Sequence, residues 1–182
     1  MKLKNNKRIV IINTIAIFLT MFLFSNIYKW IPNFLTASLF PVNESLFEHL
    51  KLMYVTQIIV SLIVYMFLKS KNIKVNNYFL GLLLSTIFTI LLFFLIYIPL
   101  YSRIGENLIV TMLLYLVVLI IGEYVFYLIM SKFKNLSFYN TISLLVIALT
   151  WLILIYLTFT PPHTEFFFDP ISEIYGIPSN NQ

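Results

Sequence analysis

The sequence contains no cysteine, and only 10% of its 182 residues are charged. Without a thiol, the chain has no disulfide bond, no thiolate metal site and no cysteine nucleophile. Four glycines and seven prolines are too few for a fibrous or low-complexity protein. Because soluble domains usually carry about 25% charged residues, the shortage of charge excludes an ordinary soluble enzyme. It also excludes a nucleic-acid-binding protein, although the net charge is +5.

Apolar residues make up 60% of the chain, and most of them fall into five long runs. A helix that crosses the hydrocarbon core of a bilayer needs roughly 20 consecutive apolar residues. The runs that meet this requirement are residues 9–31, 50–68, 78–100, 108–130 and 141–159. The sequence therefore predicts the all-α class, with a single membrane domain over residues 1–182 and five transmembrane helices. Its partner is then the lipid bilayer, while its oligomeric state stays open.

Lysine and arginine are distributed unevenly between the segments that flank these runs. The cytoplasmic loops of membrane proteins carry an excess of basic residues, which here places the N-terminus inside and the C-terminus outside. The cytoplasmic side then holds nine of the twelve basic residues, and the outer side holds Lys29, Lys51 and Arg103.

Usage rich in lysine, isoleucine and asparagine is typical of an AT-rich bacterial genome. We therefore expect a multi-pass protein of the bacterial plasma membrane.

Two short segments on the predicted outer side are much more polar than the five runs. Residues 40–51 lead into the second run, and residues 160–177 follow the fifth. Together they contain both histidines and five of the seven acidic residues. The second segment also contains Phe166-Phe167-Phe168, which is too apolar for a solvated tail. We expect this tail to fold back over the outer end of the bundle, where the two segments meet.

Helical spacing in the first polar segment places reactive side chains on neighbouring faces. Ser45 and His49 share one face, while Glu44, Glu48 and Lys51 share the next. Imidazoles and carboxylates are ligands of divalent cations such as zinc, and a carboxylate beside the metal can activate water. The predicted site therefore combines the metal ligands His49, His163 and Asp169 with the catalytic groups Glu48, Glu44 and Ser45.

Helix capping is the alternative explanation of the same residues. Ser45-Leu46-Phe47-Glu48 has the spacing of a capping box, in which the serine hydroxyl accepts a backbone N–H and the glutamate reaches back to the serine amide. Capping leaves His49 unexplained. It also leaves unexplained why Glu44 and Glu48 stand one helical turn apart, where like charges repel. The sequence alone leaves both interpretations open.

Glu123 is the only acidic or basic residue well inside one of the five runs. A charged side chain at this depth costs about 2.5–3.5 kcal/mol on insertion scales. One interpretation is a structural hydrogen bond between helices, with Tyr127, Ser85 or Thr86 as the expected partner. The other is a proton or ion relay. In either case we expect Glu123 to be buried among helices rather than to face lipid.

Both polar segments resemble the signatures of a family of small bacterial multi-span membrane proteins of unknown function. Residues 43–51, Asn-Glu-Ser-Leu-Phe-Glu-His-Leu-Lys, resemble its Asn-Glu-Ser-x-aromatic-Glu-His-Leu-Lys motif. Pro161-Pro162-His163, Phe168-Asp169-Pro170 and Tyr175-Gly176-Ile177 resemble its C-terminal motif. The resemblance covers the whole chain and implies the architecture and the candidate residues, but no activity. Ser25 stands where we expect a histidine, which weakens any site that needs three histidines.

Ser45-x-x-x-His49 is also similar, more distantly, to the first motif of the superfamily of alkaline ceramidases and adiponectin-type receptors. That similarity implies a zinc-dependent amidase that acts on lipids. Proteins of that superfamily have seven spans and a second His-x-x-x-His motif, whereas this chain has five runs and lacks the motif. Three functions stay open: a metal-dependent membrane hydrolase, a small transporter or ion-binding membrane protein, and a non-catalytic membrane partner of another protein.

Overall fold

The computed structural model describes residues 2–105 and 107–178, with the side chains of residues 2–5 left out. The side chains of Lys2 and Lys4, on which the predicted orientation partly rests, therefore lie outside the described part. The helices are α1 (Lys2–Trp30), α2 (Phe34–Leu39), α3 (Leu46–Ser70), α4 (Tyr78–Ile104), α5 (Leu108–Lys132) and α6 (Ser137–Phe159). A short 3₁₀ turn (Glu165–Phe167) then leads into a two-stranded antiparallel hairpin of β1 (Phe168–Asp169) and β2 (Ile174–Tyr175).

Five of these helices are long and apolar enough to cross a membrane, which confirms the predicted all-α multi-pass bundle. Helix α6 begins at Ser137, four residues before the predicted run, because helical backbone continues into the more polar residues that precede it. The short helix α2 was not predicted from the sequence. It begins at Asn33, whose side chain accepts a hydrogen bond from the Thr36 amide, while the Thr36 hydroxyl accepts one from the Asn33 amide.

The membrane-crossing helices turn polar side chains inward and apolar side chains outward. Asn13, Ser61 and Thr89 are fully buried between helices, whereas Leu95 and Leu152 are 72% and 62% exposed on the outside. This arrangement is inverted relative to a soluble protein. It fits a bilayer, because an apolar outer surface is at no disadvantage in lipid and polar side chains inside the bundle are kept away from the hydrocarbon.

Helices α4 and α5 approach each other closely because small residues lie at their contact. A Cβ atom added at Gly122 of α5 would overlap the Thr89 hydroxyl of α4. A Cβ added at Gly81 of α4 would lie 2.7 Å from the ring of Phe126. Both glycines therefore allow backbone contact that a larger residue would prevent.

The two polar segments meet at the end of the bundle where α3 begins, which we call the motif end. The Asn43 amide donates a hydrogen bond of 2.8 Å to the Gly176 carbonyl. The Phe47 ring stacks on Phe167, with ring centroids 4.6 Å apart. The tail thus folds back over the bundle as expected, held by one buried hydrogen bond and by aromatic packing.

Candidate functional site

The beginning of α3 is capped by Asn43 and Ser45. The Ser45 hydroxyl accepts a hydrogen bond of 3.3 Å from the Glu48 amide, and the Asn43 side chain accepts one of 2.9 Å from the Ser45 amide. The prediction that the Glu48 side chain accepts a hydrogen bond from the Ser45 amide is wrong, because that amide donates to the Asn43 side chain. The Glu48 carboxylate instead accepts from the Val42 amide at 3.1 Å. Half of the predicted capping box is therefore present, and Asn43 replaces the other half.

Glu48 forms a buried ion pair with Lys51 of the same helix, with the ammonium nitrogen 2.6 Å from a carboxylate oxygen. Both side chains are almost fully buried. The Lys51 ammonium also donates to the Ala37 carbonyl at 3.0 Å and to the Thr158 hydroxyl at 2.9 Å. The pair therefore ties α2, α3 and α6 together. Glu48, which the sequence indicated as a group that activates water, is engaged in this structural contact.

His49 lies at the solvent-accessible edge of the same motif, with its two ring nitrogens in different surroundings. Nδ1 lies 2.9 Å from the Ser45 carbonyl oxygen and therefore carries a proton that it donates. Nε2 faces the Glu44 carboxylate at 4.0 Å. Glu44 in turn accepts a hydrogen bond of 2.7 Å from the Lys29 ammonium of α1. Lys29, Glu44 and His49 thus form a charged cluster that is only partly buried.

A cavity of about 370 Å³ opens beside this cluster, between α1, α3, α4 and α5. Polar groups line one part of it: Ser25, Asn26, Lys29, Glu44, His49 and Thr111. Apolar groups that line it include Met21, Phe22, Met53, Phe93, Leu108 and Met112. The volume lies within the range of ligand pockets, about 300–1,000 Å³. Local sequence patterns gave no signal for this cavity, since its walls come from four helices.

His163 and Asp169, the other predicted metal ligands, lie in the tail and make contacts of their own. The His163 ring stacks on Tyr175 at 4.6 Å and is exposed. Asp169 is buried and accepts a hydrogen bond of 2.9 Å from the Ile171 amide, which closes the turn of the hairpin. Among the described residues, no three histidine, aspartate or glutamate side chains form a group that could hold a metal. Zinc binding stays a prediction, with His49 and Glu44 as the available ligands at the cavity.

Glu123 is buried in the centre of the bundle, as expected, with an unexpected partner. The Asn13 amide of α1 donates to both carboxylate oxygens at 3.1 Å, and it also lies 3.0 Å from the Ser61 hydroxyl of α3. The expected partners Tyr127, Ser85 and Thr86 make no hydrogen bond to Glu123 in the described part of the chain. The sequence signal that marks Asn13 as a candidate is the presence of an asparagine inside the first apolar run, although it does not show which residue Asn13 contacts.

Comparison with known proteins identifies one family. No match to this chain is found among curated proteins or among solved structures. The distant similarity to alkaline ceramidases therefore gains no further support. The model of a family whose function is unknown matches residues 1–177, which include both polar segments and all five long helices. The chain belongs to DUF6512, a family of unknown function.

Proposed function

We propose that this protein binds an amphiphilic molecule of the bilayer in the cavity at the motif end. The observation that carries the proposal is that the cavity wall combines charged side chains with a larger number of apolar ones. Ligand pockets are mostly apolar, with a few polar groups that orient the ligand. An amphiphile with a polar head and a hydrocarbon tail matches both kinds of side chain. With the N-terminus inside, the site opens on the outer side of a bacterial plasma membrane.

The polar head would be held by the cluster of Lys29, Glu44 and His49. The Lys29 ammonium and the Glu44 carboxylate lie 2.7 Å apart, and the two side chains are 57% and 35% exposed, so both remain accessible to a ligand. A phosphate or carboxylate on the head can pair with Lys29, while a cationic group can pair with Glu44. His49 offers Nε2, because its other ring nitrogen is held by the Ser45 carbonyl.

The hydrocarbon part would pack against the apolar wall of the cavity. Met53 and Phe93 form the buried side of this wall, and Met112 lies at a half-buried position near the start of α5. Methionine side chains adapt to irregular apolar ligands. Leu108, at the first turn of α5, also lines the cavity and is 68% exposed. An amphiphile can therefore reach the cavity from the surrounding lipid without crossing water.

Hydrolysis of the bound amphiphile is a second candidate, favoured by the orientation of His49. An imidazole fixed at Nδ1 by a backbone carbonyl has the geometry of a general base or metal ligand at Nε2. The Glu44 carboxylate lies 4.0 Å from that nitrogen. Binding alone is the better-supported function, because Glu48 and Ser45 are engaged in structural contacts.

Lipid retention tests the binding proposal. The protein would be purified from vesicles of phosphatidylethanolamine and phosphatidylglycerol, and bound lipid counted by native mass spectrometry. Met112→Trp fills the cavity, whereas Leu113→Trp places the same indole on the neighbouring, lipid-facing residue, which is 59% exposed. We expect the wild type and Leu113→Trp to retain lipid and Met112→Trp to lose it. Equal retention by both variants would contradict the proposal.

A further inference from the structure

We infer that Glu123 exchanges protons with the aqueous phase at the motif end. The route begins at the cavity and follows a row of polar side chains, which we call the file: Tyr115, Gln57, Ser61 and Asn13. The site is the carboxyl of Glu123 itself, and its ligand is a proton delivered by water. This inference does not depend on which molecule the cavity binds.

The file crosses half of the bundle along α3 and α5. Tyr115 lines the cavity, and its buried hydroxyl lies near the Gln57 side chain of α3 without a hydrogen-bond partner among the described residues. Ser61 lies one helical turn further along the same face of α3. Its hydroxyl donates to the Asn13 side-chain oxygen at 3.2 Å, and the Asn13 amide contacts Glu123. Polar groups therefore follow one another from the cavity to the carboxyl.

Polar atoms beside this file have unused hydrogen-bonding capacity. Gln57 Nε2 and the hydroxyls of Tyr115, Thr86 and Thr89 are buried and have no hydrogen-bond partner among the described residues. Thr89 lies against Gly122, the neighbour of Glu123 in the chain. Buried polar atoms of this kind in native proteins are usually satisfied by internal water. Water molecules at these atoms would complete the path along which a proton moves.

The surroundings of Glu123 favour a proton over a metal cation. Its titratable neighbours are the phenols of Tyr78 on α4 and Tyr115 on α5, and in the described part no lysine, arginine or histidine pairs with it. Amide N–H donors from Asn13 occupy the side of the carboxylate that a cation would need. A buried carboxyl without a positive partner becomes neutral by taking up a proton.

Apolar side chains follow Glu123 along α5 toward the opposite end of the bundle. Phe126, one turn beyond Glu123 on α5, is fully buried. It belongs to one apolar cluster with Leu82 and Met130, which are 0% and 3% exposed. The polar side chains lead to Glu123 from the cavity, so the proposed route for the proton begins at the motif end.

Cysteine labelling tests the water path, because the chain has no native cysteine. Gln57→Cys and Ser61→Cys place a thiol in the file, and Ile58→Cys places one at a neighbouring residue that is equally buried in apolar surroundings. In nanodiscs, we expect a small cationic methanethiosulfonate to label both file positions at least an order of magnitude faster than Ile58→Cys. Rates equal to that of Ile58→Cys at both positions would overturn the inference.

Infrared spectroscopy tests the proton itself. The difference spectrum between wild type and Glu123→Gln should contain the carbonyl band of a carboxylic acid, which grows as the pH falls and shifts in D₂O. Met112→Trp should lower the rate at which this band shifts after transfer to D₂O, whereas Leu113→Trp should leave that rate unchanged. The absence of the band, a band that responds to Na⁺ instead of pH, or equal exchange in the two tryptophan variants would overturn the inference.

Discussion

Replacing Lys51 by methionine removes the positive partner of a buried carboxylate while keeping most of the side-chain volume. In the folded protein this ammonium lies 2.6 Å from Glu48 and donates two further hydrogen bonds, to Ala37 and Thr158. The variant Lys51→Met leaves the Glu48 carboxylate buried, with the Val42 amide and the Thr158 hydroxyl as its remaining hydrogen-bond donors among the described residues.

The expected loss of stability follows from the cost of an unpaired buried charge. Breaking a buried ion pair by removing one partner costs about 3–5 kcal/mol. Removing both charges should cost much less, because no buried charge then remains without compensation. We therefore expect Lys51→Met to lower the free energy of unfolding by about 3–5 kcal/mol, and the double variant Glu48→Gln/Lys51→Met to recover a large part of that loss.

Unfolding by sodium dodecyl sulfate in mixed micelles measures the free energy of unfolding of the single and the double variant. Lys69→Met is the matched control, since it makes the same change at an exposed position of the same helix. This control should stay within about 0.5 kcal/mol of the wild type. The reasoning is refuted if Lys51→Met is no less stable than Lys69→Met, or if the double variant is less stable than the sum of the two single variants predicts.

Three more outcomes are expected. Glu123→Leu should lower the unfolding free energy by about 1–3 kcal/mol, because the Asn13 amide loses its acceptor, whereas Glu123→Gln should stay close to wild type in the same assay. Gly122→Ala should destabilise the contact between α4 and α5, and Thr89→Ala should restore much of the loss by making room. A cysteine introduced at residue 76 should resist an impermeant thiol reagent in intact cells, and its labelling would contradict the predicted orientation.

The long helices could be predicted because each one is encoded by local composition. The five apolar runs mark α1, α3, α4, α5 and α6 directly, since a bilayer imposes the same length and hydrophobicity on every span. The short helix α2 has six residues and no comparable signal. Its position depends on the Asn33 cap and on contacts with neighbouring helices. Such short elements follow from tertiary packing, which composition does not show.

The candidate site could be predicted only in part, because its contacts join distant parts of the chain. The sequence predicted that residues 43–51 form a helix cap or part of a functional site, and the Ser45 cap is present in the structure. It did not show that Glu48 pairs with Lys51, although the i, i+3 spacing allowed it. The partner of Glu123 lies 110 residues away along the chain, so no local pattern identifies it.

Photocrosslinking in nanodiscs tests the central claim, that an amphiphile occupies the cavity at the motif end. A phospholipid with a diazirine in its acyl chain would be irradiated, and the modified residues identified by mass spectrometry. We expect modification of the cavity residues Met53 and Met112 in the wild type, and loss of the Met53 adduct in Met112→Trp but not in Leu113→Trp. Adducts confined to exposed, lipid-facing residues such as Leu113 would contradict the account.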